Sequence, residues 1–195
     1  IRGEGKLIRK TGGVATGPLA LMQMTNECGR GIMQGGSRRS ALWAGLHWNH
    51  QDIHKFVTMK NWSQEVRELK EKDFNFPATM DMTNISVILD DDFFEAYSDE
   101  ENSYHSQAHQ VYWATVKQML KTAEPGFSVD VGKNKGENNR NACTEITSSD
   151  DSDICNLGSI NLARIESVEE MKKVVELSTM FLLAGTIYSD VPYPR

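Results

Sequence analysis

The chain has 195 residues, of which 39% are apolar and 25% charged, and its net charge is −6 at pH 7. This composition is typical of a globular domain and excludes disordered, collagen-like and disulfide-dense classes. The acidic balance argues against a general nucleic-acid binder, which needs clustered Lys and Arg to neutralise phosphates. No apolar run approaches the roughly 18 residues of a membrane span.

The first part of the chain predicts a loop, a helix, a strand and further short helices. Residues 1–14 are rich in Gly, Lys and Arg and predict the loop. Thr16 is a candidate N-cap and Pro18 falls in the first turn of a helix that "GGSRRS", residues 35–40, ends. "ALWAGLHW" predicts a buried strand, and "NHQDIHKFVTMKNWSQEVRELKEK" predicts one or two short helices.

The rest of the chain alternates strand and helix patterns. After the linker "DFNFPATMDM", residues 83–89 form a β-branched strand pattern, and "DDDFFEAY" begins a helix with acidic residues at its positive end. A longer helix ends at a Pro-Gly pair before the strand "FSVD". A polar loop and the mixed segment "ICNLGSINLARI" follow. Ser167 and Glu170 form a capping box for a last helix from Val168 to about Tyr188. The alternation predicts an α/β fold with a largely parallel sheet.

The segment "NACTE" places a thiol between an amide and a carboxylate. If it is extended, Asn141, Cys143 and Glu145 share one face, with roughly 6.6 Å between residues two apart. The amide can orient a hydroxyl, the carboxylate can accept a proton, and the sulfur can act as a nucleophile or hydrogen-atom abstractor. The alternative is a buried structural cysteine with two hydrogen-bonded neighbours.

Five segments, in order, resemble the catalytic subunit of ribonucleotide reductase. "NACTEI" followed by "CNLGSINLARI" is similar to the active-site finger loop of that family. "RGEGKLIRKTGGVATGPLALM" resembles its first effector loop, and "MQGGSRRSALWAGLHWNHQDIHKF" its second. "FNFPATMDMTNISVILDDDFFEAY" and "AEPGFSVD" match further family blocks.

The resemblance implies a fold and a division of the chain. The fold would be part of the ten-stranded α/β barrel of the family, with a catalytic finger loop. Residues 1–195 would form one segment of the catalytic barrel domain, a fragment without its upstream and downstream parts. Residues 1–41 would be the effector-loop region, and residues 138–165 the finger loop.

The resemblance also implies catalytic roles. Cys143 would become a thiyl radical that removes the 3′-hydrogen of a ribonucleotide, Glu145 would act as base at the 3′-hydroxyl, and Asn141 would hydrogen-bond the ribose. Cys155 would be one of two redox-active thiols that supply electrons and end as a disulfide. Its partner in the family lies upstream of Ile1. Cys28 is expected to be a packed or partly exposed helix cysteine.

The effector loops imply allosteric partners. A dNTP or ATP effector, a thioredoxin-like or glutaredoxin-like reductant and a second copy of the chain would accompany the ribonucleotide substrate. The glycines of "QGGSRRS" allow close approach to a ligand, and its amide and guanidinium groups offer donors; without the resemblance this segment reads as a basic surface turn. The expected effector residues are Lys6, Arg9, Lys10, Gln34, Gly35, Gly36, Arg38 and Arg39.

The radical source has two candidates. "CNLGSINLARI" and "TGGVATGP" resemble the adenosylcobalamin-dependent class, which makes adenosylcobalamin the expected cofactor. "NACTEI" departs from the Asn-Pro-Cys-Gly-Glu common in that class and leans toward the Asn-x-Cys-Thr-Glu of enzymes with a separate metal-radical subunit. The alternative is therefore the large subunit of a class I ribonucleoside-diphosphate reductase.

Other kinds of site remain as alternatives. His105 and His109 have the spacing of zinc ligands on a helix, but the chain has no His-Glu-x-x-His or Cys-x-x-Cys, and no metal site is expected. The acidic run Asp90–Asp92 is expected to cap a helix. A thiol hydrolase would need a His base beside Cys143. A non-catalytic nucleotide-sensing module would keep the effector loops alone. Three cysteines without a secretion signal predict reduced, cytoplasmic thiols.

Overall fold

The structure is a computed structural model that describes residues 1–34, 36, 38–132, 139–148 and 154–189, with backbone only at residues 34, 38, 139 and 148. The chain divides into two units, Ile1–Thr147 and Ser148–Arg195. The boundary between them falls within the predicted finger loop, residues 138–165.

The N-terminal segment forms a short hairpin, so the expectation of a loop over residues 1–14 is wrong in this part. β1 (Leu7–Ile8) pairs antiparallel with β2 (Gly13–Val14). The turn between them closes with hydrogen bonds from the backbone N–H groups of Thr11 and Gly12 to the carbonyl oxygen of Ile8. Only two residues of each strand pair, which is too short for an alternating pattern to stand out in the sequence.

Helix α1 (Pro18–Gly31) begins at the predicted proline but not at the predicted cap. The N-cap is Gly17, whose φ of 78° lies in the left-handed region, and no side chain caps the helix. The chain therefore enters the helix through a backbone conformation that glycine adopts easily, and Thr16 does not cap the helix. Pro18 occupies the first helical position, where its missing N–H costs no hydrogen bond.

After α1, the segment "QGGSRRS" forms part of a second hairpin. β3 (Met33–Gln34) pairs antiparallel with β4 (Arg38–Arg39), in the register Met33 to Arg39. Gly36 in the turn has a φ of 75°, which favours glycine. α1 ends at Gly31, before residues 35–40, so the expectation that this segment ends the helix is wrong; Gly35 lies outside the described residues.

The three predicted longer strands form one parallel sheet in the order β5-β6-β7. They are β5 (Leu42–His47), β6 (Thr83–Asp90) and β7 (Gly126–Asp130). β6 is therefore central and pairs on both sides. The largely parallel α/β arrangement is confirmed. The described residues form an open sheet of three strands, so the ten-stranded barrel stays a prediction.

Helices cover one face of this sheet. α1 and α2 (Ile53–Thr58) contact β5, α4 (Asp91–Ser98) contacts β6, and α5 (His105–Thr122) packs against both α2 and α4. α3 (Gln64–Lys72) lies between α2 and β6 in the chain and has no buried residue. Because side chains alternate along a strand, β6 directs Ile85, Val87 and Leu89 to this core and Asn84, Ser86 and Ile88 to the opposite face. The core consists mainly of Leu46, Trp48, Ile53, Phe56, Val57, Met80, Ile85, Val87, Leu89, Phe93, Ala108 and Val111.

Two short strands flank the cysteine motif, and a long helix is the last element of the described chain. β8 (Asn139–Arg140) and β9 (Thr147–Ser148) pair in a two-stranded sheet, and α6 (Val168–Tyr188) follows a short 3₁₀ helix at Leu162–Arg164. The predicted cap of α6 is confirmed, because Ser167 Oγ accepts a hydrogen bond from the backbone N–H of Glu170 at 3.1 Å. None of the helices in the described ranges is both long and apolar enough to cross a membrane.

Candidate active site

The "NACTE" segment is a tight turn between β8 and β9, and not the extended segment that was considered as one case above. The backbone N–H of Thr144 donates a hydrogen bond to the carbonyl oxygen of Asn141 at 3.0 Å. Thr144 itself has a φ of 70°, in the left-handed region. A β-branched residue is an outlier there, at a cost of about 1–2 kcal/mol. Such strain recurs at functional sites, where surrounding contacts impose it.

This turn brings the amide and the carboxylate together directly. Asn141 Nδ2 donates a hydrogen bond to Glu145 Oε1 at 2.6 Å, and Asn141 Oδ1 accepts one from the backbone N–H of Ile146 at 3.2 Å. The nitrogen and the oxygen of the Asn141 amide are therefore both hydrogen-bonded, which fixes the orientation of the side chain. A carboxylate offers about four acceptor positions, so Glu145 can accept a further hydrogen bond from a hydroxyl.

Cys143 lies at the tip of the turn between these two residues. Its side chain is exposed and forms no disulfide. The alternative of a buried structural cysteine is therefore wrong. The sulfur can be reached from outside the turn, while the amide and carboxylate on either side of it are already hydrogen-bonded to each other.

Two hydrogen bonds from side chains join the turn to the parallel sheet. Asn84 Nδ2, on β6, donates to the carbonyl oxygen of Ala142 at 2.5 Å. Arg140 Nη2 donates to the carbonyl oxygen of Val129, on β7, at 2.9 Å. The sequence reasoning missed Asn84. Its signal was available, since it is a polar residue on the face of β6 opposite to Ile85, Val87 and Leu89.

The other two cysteines lie in different surroundings. Cys155 is exposed and belongs to the second unit, in the segment that precedes the 3₁₀ helix. Cys28 is exposed on α1, which agrees with the expectation of a partly exposed helix cysteine.

The predicted effector residues of the first loop form a basic, exposed group on the N-terminal hairpin. Lys6 precedes β1, and Arg9 and Lys10 lie in the turn between β1 and β2. The backbone of Lys6 is held in place, because its carbonyl oxygen accepts a hydrogen bond from the N–H of Ala15 at 2.8 Å. Three cations on one short hairpin can attract a phosphate group.

The second hairpin has one described effector side chain, that of Arg39. Its guanidinium carbon lies 4.4 Å from the centre of the Phe74 ring, a cation–π contact. Lys70 Nζ lies 5.1 Å from the centre of the same ring. The described residues thus link β4 to the segment that follows α3, while the side chains of Gln34 and Arg38 and all of Gly35 lie outside them.

The histidines and acidic residues take structural roles. His105 and His109 are hydrogen-bonded to the carbonyl oxygens of Ala96 and Tyr97, at 3.0 and 3.1 Å. Across the ranges the structure describes, no group of three His, Cys, Asp or Glu side chains could hold a metal ion.

Asp90 caps α4 as expected, because its Oδ1 accepts a hydrogen bond from the backbone N–H of Phe93 at 3.0 Å. Burial would raise the pKa of Asp90, but hydrogen bonds from Trp48 Nε1 and the Phe93 N–H, and the nearby His47, outweigh it and lower the pKa.

Comparisons with known proteins match nearly the whole chain to one family. The family model for "Ribonucleotide reductase, barrel domain" matches residues 1–128 and, in a second match, residues 105–195. The chain is 29% identical, over 93% of its length, to a vitamin B12-dependent ribonucleoside-diphosphate reductase of Thermoplasma acidophilum. It is 31% identical, over 98% of its length, to a putative adenosylcobalamin-dependent ribonucleoside-triphosphate reductase of Mycobacterium phage D29.

A third relative is named as a large chain. The chain is 25% identical, over 97% of its length, to a ribonucleoside-diphosphate reductase large chain of Cryptosporidium parvum. It spans 25%, 27% and 29% of the lengths of these three proteins. With the family model covering both units, the chain belongs to the ribonucleotide reductase family, as part of its barrel domain.

Proposed function

We propose that this chain carries the thiyl-radical site of a ribonucleotide reductase, which reduces ribonucleotides to deoxyribonucleotides for DNA synthesis. The observation that carries the proposal is the turn at Asn141–Glu145. It presents an exposed thiol, Cys143, between an amide and a carboxylate that lie 2.6 Å apart. Membership of the family supports the same assignment.

The three side chains divide the chemistry between them. As a thiyl radical, Cys143 takes the 3′-hydrogen atom of the ribose, and the carboxylate of Glu145 accepts the proton of the 3′-hydroxyl. Asn141 orients Glu145 through the hydrogen bond already formed and contacts the ribose. The 2′-hydroxyl takes up a proton and leaves as water, two thiols supply two electrons and two protons and become a disulfide, and Cys143 returns its hydrogen atom to C3′. Cys155 is the proposed member of this pair on the present chain.

Adenosylcobalamin is the proposed radical source. Its fit rests on the exposed position of Cys143, because a thiol that gives its hydrogen atom to an external group must be reachable. When bound, the cofactor would supply the radical that takes the hydrogen atom of the Cys143 thiol. The names of the Thermoplasma and phage relatives support this choice.

A separate metal-radical subunit is the alternative radical source, and one specific observation favours it. Thr144 follows Cys143 in the pattern of enzymes with a separate metal-radical subunit, and the Cryptosporidium relative is named as a large chain. In that case the same turn would work in a class I ribonucleoside-diphosphate reductase. A non-catalytic nucleotide-sensing module is the second alternative, in which the basic hairpins act without Cys143.

The wider architecture follows from the same proposal. The three parallel strands form part of the ten-stranded barrel, and residues 138–165 act as its finger loop. Residues 1–41 bind a dNTP or ATP effector through the basic hairpins. The complete protein is a cytoplasmic homodimer that a thioredoxin-like or glutaredoxin-like protein reduces after each turnover.

The full-length protein tests this proposal directly. Nucleotide reduction is measured with and without added adenosylcobalamin, using wild type, Cys143→Ser and the control Cys28→Ser. We expect cobalamin-dependent activity that Cys143→Ser abolishes, with effector binding nearly unchanged, and full activity of Cys28→Ser, since Cys28 is exposed on α1. Substantial turnover by Cys143→Ser would contradict the assignment, and activity that needs a metal subunit instead would favour class I.

Cys155→Ser tests the redox thiol separately. A hydroxyl cannot form a disulfide, so we expect about one turnover per active site without external thiol and no sustained turnover with a thioredoxin-type reductant. Rapid-quench measurement of deoxynucleotide per active site distinguishes these outcomes. Sustained turnover with that reductant would remove Cys155 from the proposed pair.

A further inference from the structure

Asn84 has a rigid position on the sheet. It lies near the start of β6, the central strand, which pairs with β5 on one side and β7 on the other. Its neighbours Thr83 and Ile85 are buried, whereas Asn84 itself is on the exposed face. Its backbone therefore has little freedom to move, and its amide points away from the apolar core.

The residues before Asn84 are fixed as well. Asn26, fully buried on α1, accepts hydrogen bonds through its Oδ1 from the backbone N–H of Met82 and the hydroxyl of Thr83, both at 2.9 Å. Lys60 Nζ donates to the carbonyl oxygen of Thr83 at 2.8 Å. The first residues of β6, next to Asn84, are thus held by hydrogen bonds from both Asn26 and Lys60.

The turn with Cys143 needs an attachment of this kind. The bonds among Asn141, Thr144, Glu145 and Ile146 fix the shape of the turn but not its place relative to the sheet. Asn84 Nδ2 donates to the carbonyl oxygen of Ala142 at 2.5 Å. Ala142 is bonded directly to Cys143, so this contact acts one residue from the reactive sulfur.

We propose that Asn84 is a positioning residue, which sets the location of the Cys143 sulfur by holding the Ala142 carbonyl oxygen to the central strand. The inference rests on the proposed function of Cys143 and adds a residue from an element 58 positions away. Asn84 does not touch the reacting atoms in this role. It fixes the distance that the sulfur must keep from the ribose.

The kinetic test uses the full-length protein with Asn84→Ala and Asn84→Asp. Alanine removes the donor, and the carboxylate of aspartate keeps the size but replaces the donor with an acceptor. We expect kcat to fall by about 100-fold in both, the effect of a displacement near 1 Å, with substrate KM nearly unchanged. The matched control is Asn75→Asp, a solvent-exposed asparagine in the turn after α3, which should keep wild-type kcat.

A second measurement does not depend on activity. Amide hydrogen exchange of residues 141–147, read by mass spectrometry on the full-length protein, should be about 5-fold to 10-fold faster in Asn84→Ala, the loss of one net hydrogen bond. Asn84→Ser gives a further soluble variant if alanine impairs folding, and should show the same increase because its shorter hydroxyl does not reach Ala142.

The outcomes separate this inference from the proposed function. If wild type reduces nucleotides but Asn84→Ala and Asn84→Asp keep its kcat, the positioning role is wrong while the function stands. Unchanged exchange in the turn, or a rise in KM without a fall in kcat, also overturns the role. If Cys143→Ser is fully active, the proposed function fails, and the exchange experiment still decides whether Asn84 holds the turn.

Discussion

The start of β6 and the turn that carries Cys143 are joined by the Asn84–Ala142 hydrogen bond, and the two regions are built differently. The start of β6 is held by Asn26 from α1 and by Lys60 from the segment between α2 and α3. The turn is held by hydrogen bonds between its own exposed residues, with a strained backbone at Thr144. One region is fixed by tertiary contacts, and the other takes its shape locally and its location from the sheet.

The buried side of this comparison centres on the Asp81 cluster, formed by Asn26, Arg30, Lys70 and Asp81. The Asp81 side chain is 1% exposed and accepts hydrogen bonds from Arg30 Nη1 at 2.9 Å and Lys70 Nζ at 2.6 Å. Asn26 Nδ2 donates to the same carboxylate at 3.2 Å. The cluster therefore joins α1, α3 and the segment before β6.

The difference teaches how a reactive loop can be both exposed and well placed. Binding and catalytic residues commonly lie on loops that a rigid scaffold positions. Here the scaffold is the β6 start, whose rigidity comes from buried charge and amide groups rather than from apolar packing alone. Changes in the turn should therefore affect chemistry, and changes in the Asp81 cluster should affect stability.

The largest effect is expected in the turn, from Glu145→Gln. The amide can still accept the hydrogen bond from Asn141, so the turn should persist, but it cannot take a proton. We expect kcat to fall by about 100-fold to 10,000-fold, the range of general base catalysis, without loss of stability. Steady-state kinetics and thermal unfolding of the full-length protein measure both. The control is Glu100→Gln, exposed after α4. An unchanged kcat would rule out Glu145 as the base.

Asp81→Asn should destabilise the buried region beside the start of β6. It removes the anion that Arg30 and Lys70 share and leaves two cations beside each other. We expect a loss of about 3 kcal/mol in the free energy of unfolding, as for one partner of a buried ion pair. Urea denaturation measures it. Asp73→Asn is the control, because Asp73 is exposed and an amide oxygen can still accept the hydrogen bond from the Asn75 N–H. Equal losses in both variants would contradict the role of the cluster.

A smaller effect is expected from acid. Burial would raise the pKa of Asp81, but hydrogen bonds from Arg30, Lys70 and Asn26 outweigh it and lower the pKa to about 2. Because the pKa is lowered in the folded state, this stabilisation is present above the ordinary pKa of an aspartate and is lost as pH falls toward 2. The stability gap between wild type and Asp81→Asn should therefore narrow between pH 5 and pH 2, as judged by urea midpoints. If the difference in stability between wild type and Asp81→Asn did not change with pH, the charge of the Asp81 carboxylate would not be the cause of that difference.

Much of the fold could be predicted because it depends on local signals. The β-branched run at residues 83–89 became β6, the proline at position 18 opened α1, and Ser167 capped α6. These outcomes follow from propensity, the fixed φ of proline and hydrogen bonds between residues three apart. The short hairpin of β1 and β2 could not be predicted in this way, because two residues per strand give no periodic pattern.

The sequence selected Asn141, Cys143 and Glu145 as the candidate site, and their catalytic roles stay a prediction, but it did not give their geometry. An extended segment would place Asn141 and Glu145 each roughly 6.6 Å from Cys143, on a common face. The turn instead brings the two ends into a hydrogen bond and leaves the sulfur at the tip. A left-handed threonine at position 144 makes that possible, and threonine carries no local signal for such a conformation.

The sequence by itself determined the order and type of the main elements, the family membership and the presence of an amide and a carboxylate on either side of the Cys143 thiol. Only the tertiary structure decided what holds them in place. Asn26, Asp81 and Asn84 form hydrogen bonds with residues 51 to 58 positions away in the chain. No local sequence pattern reaches that far. Hydrogen bonds at such separations depend on which elements fold against each other, and local propensity does not encode that choice.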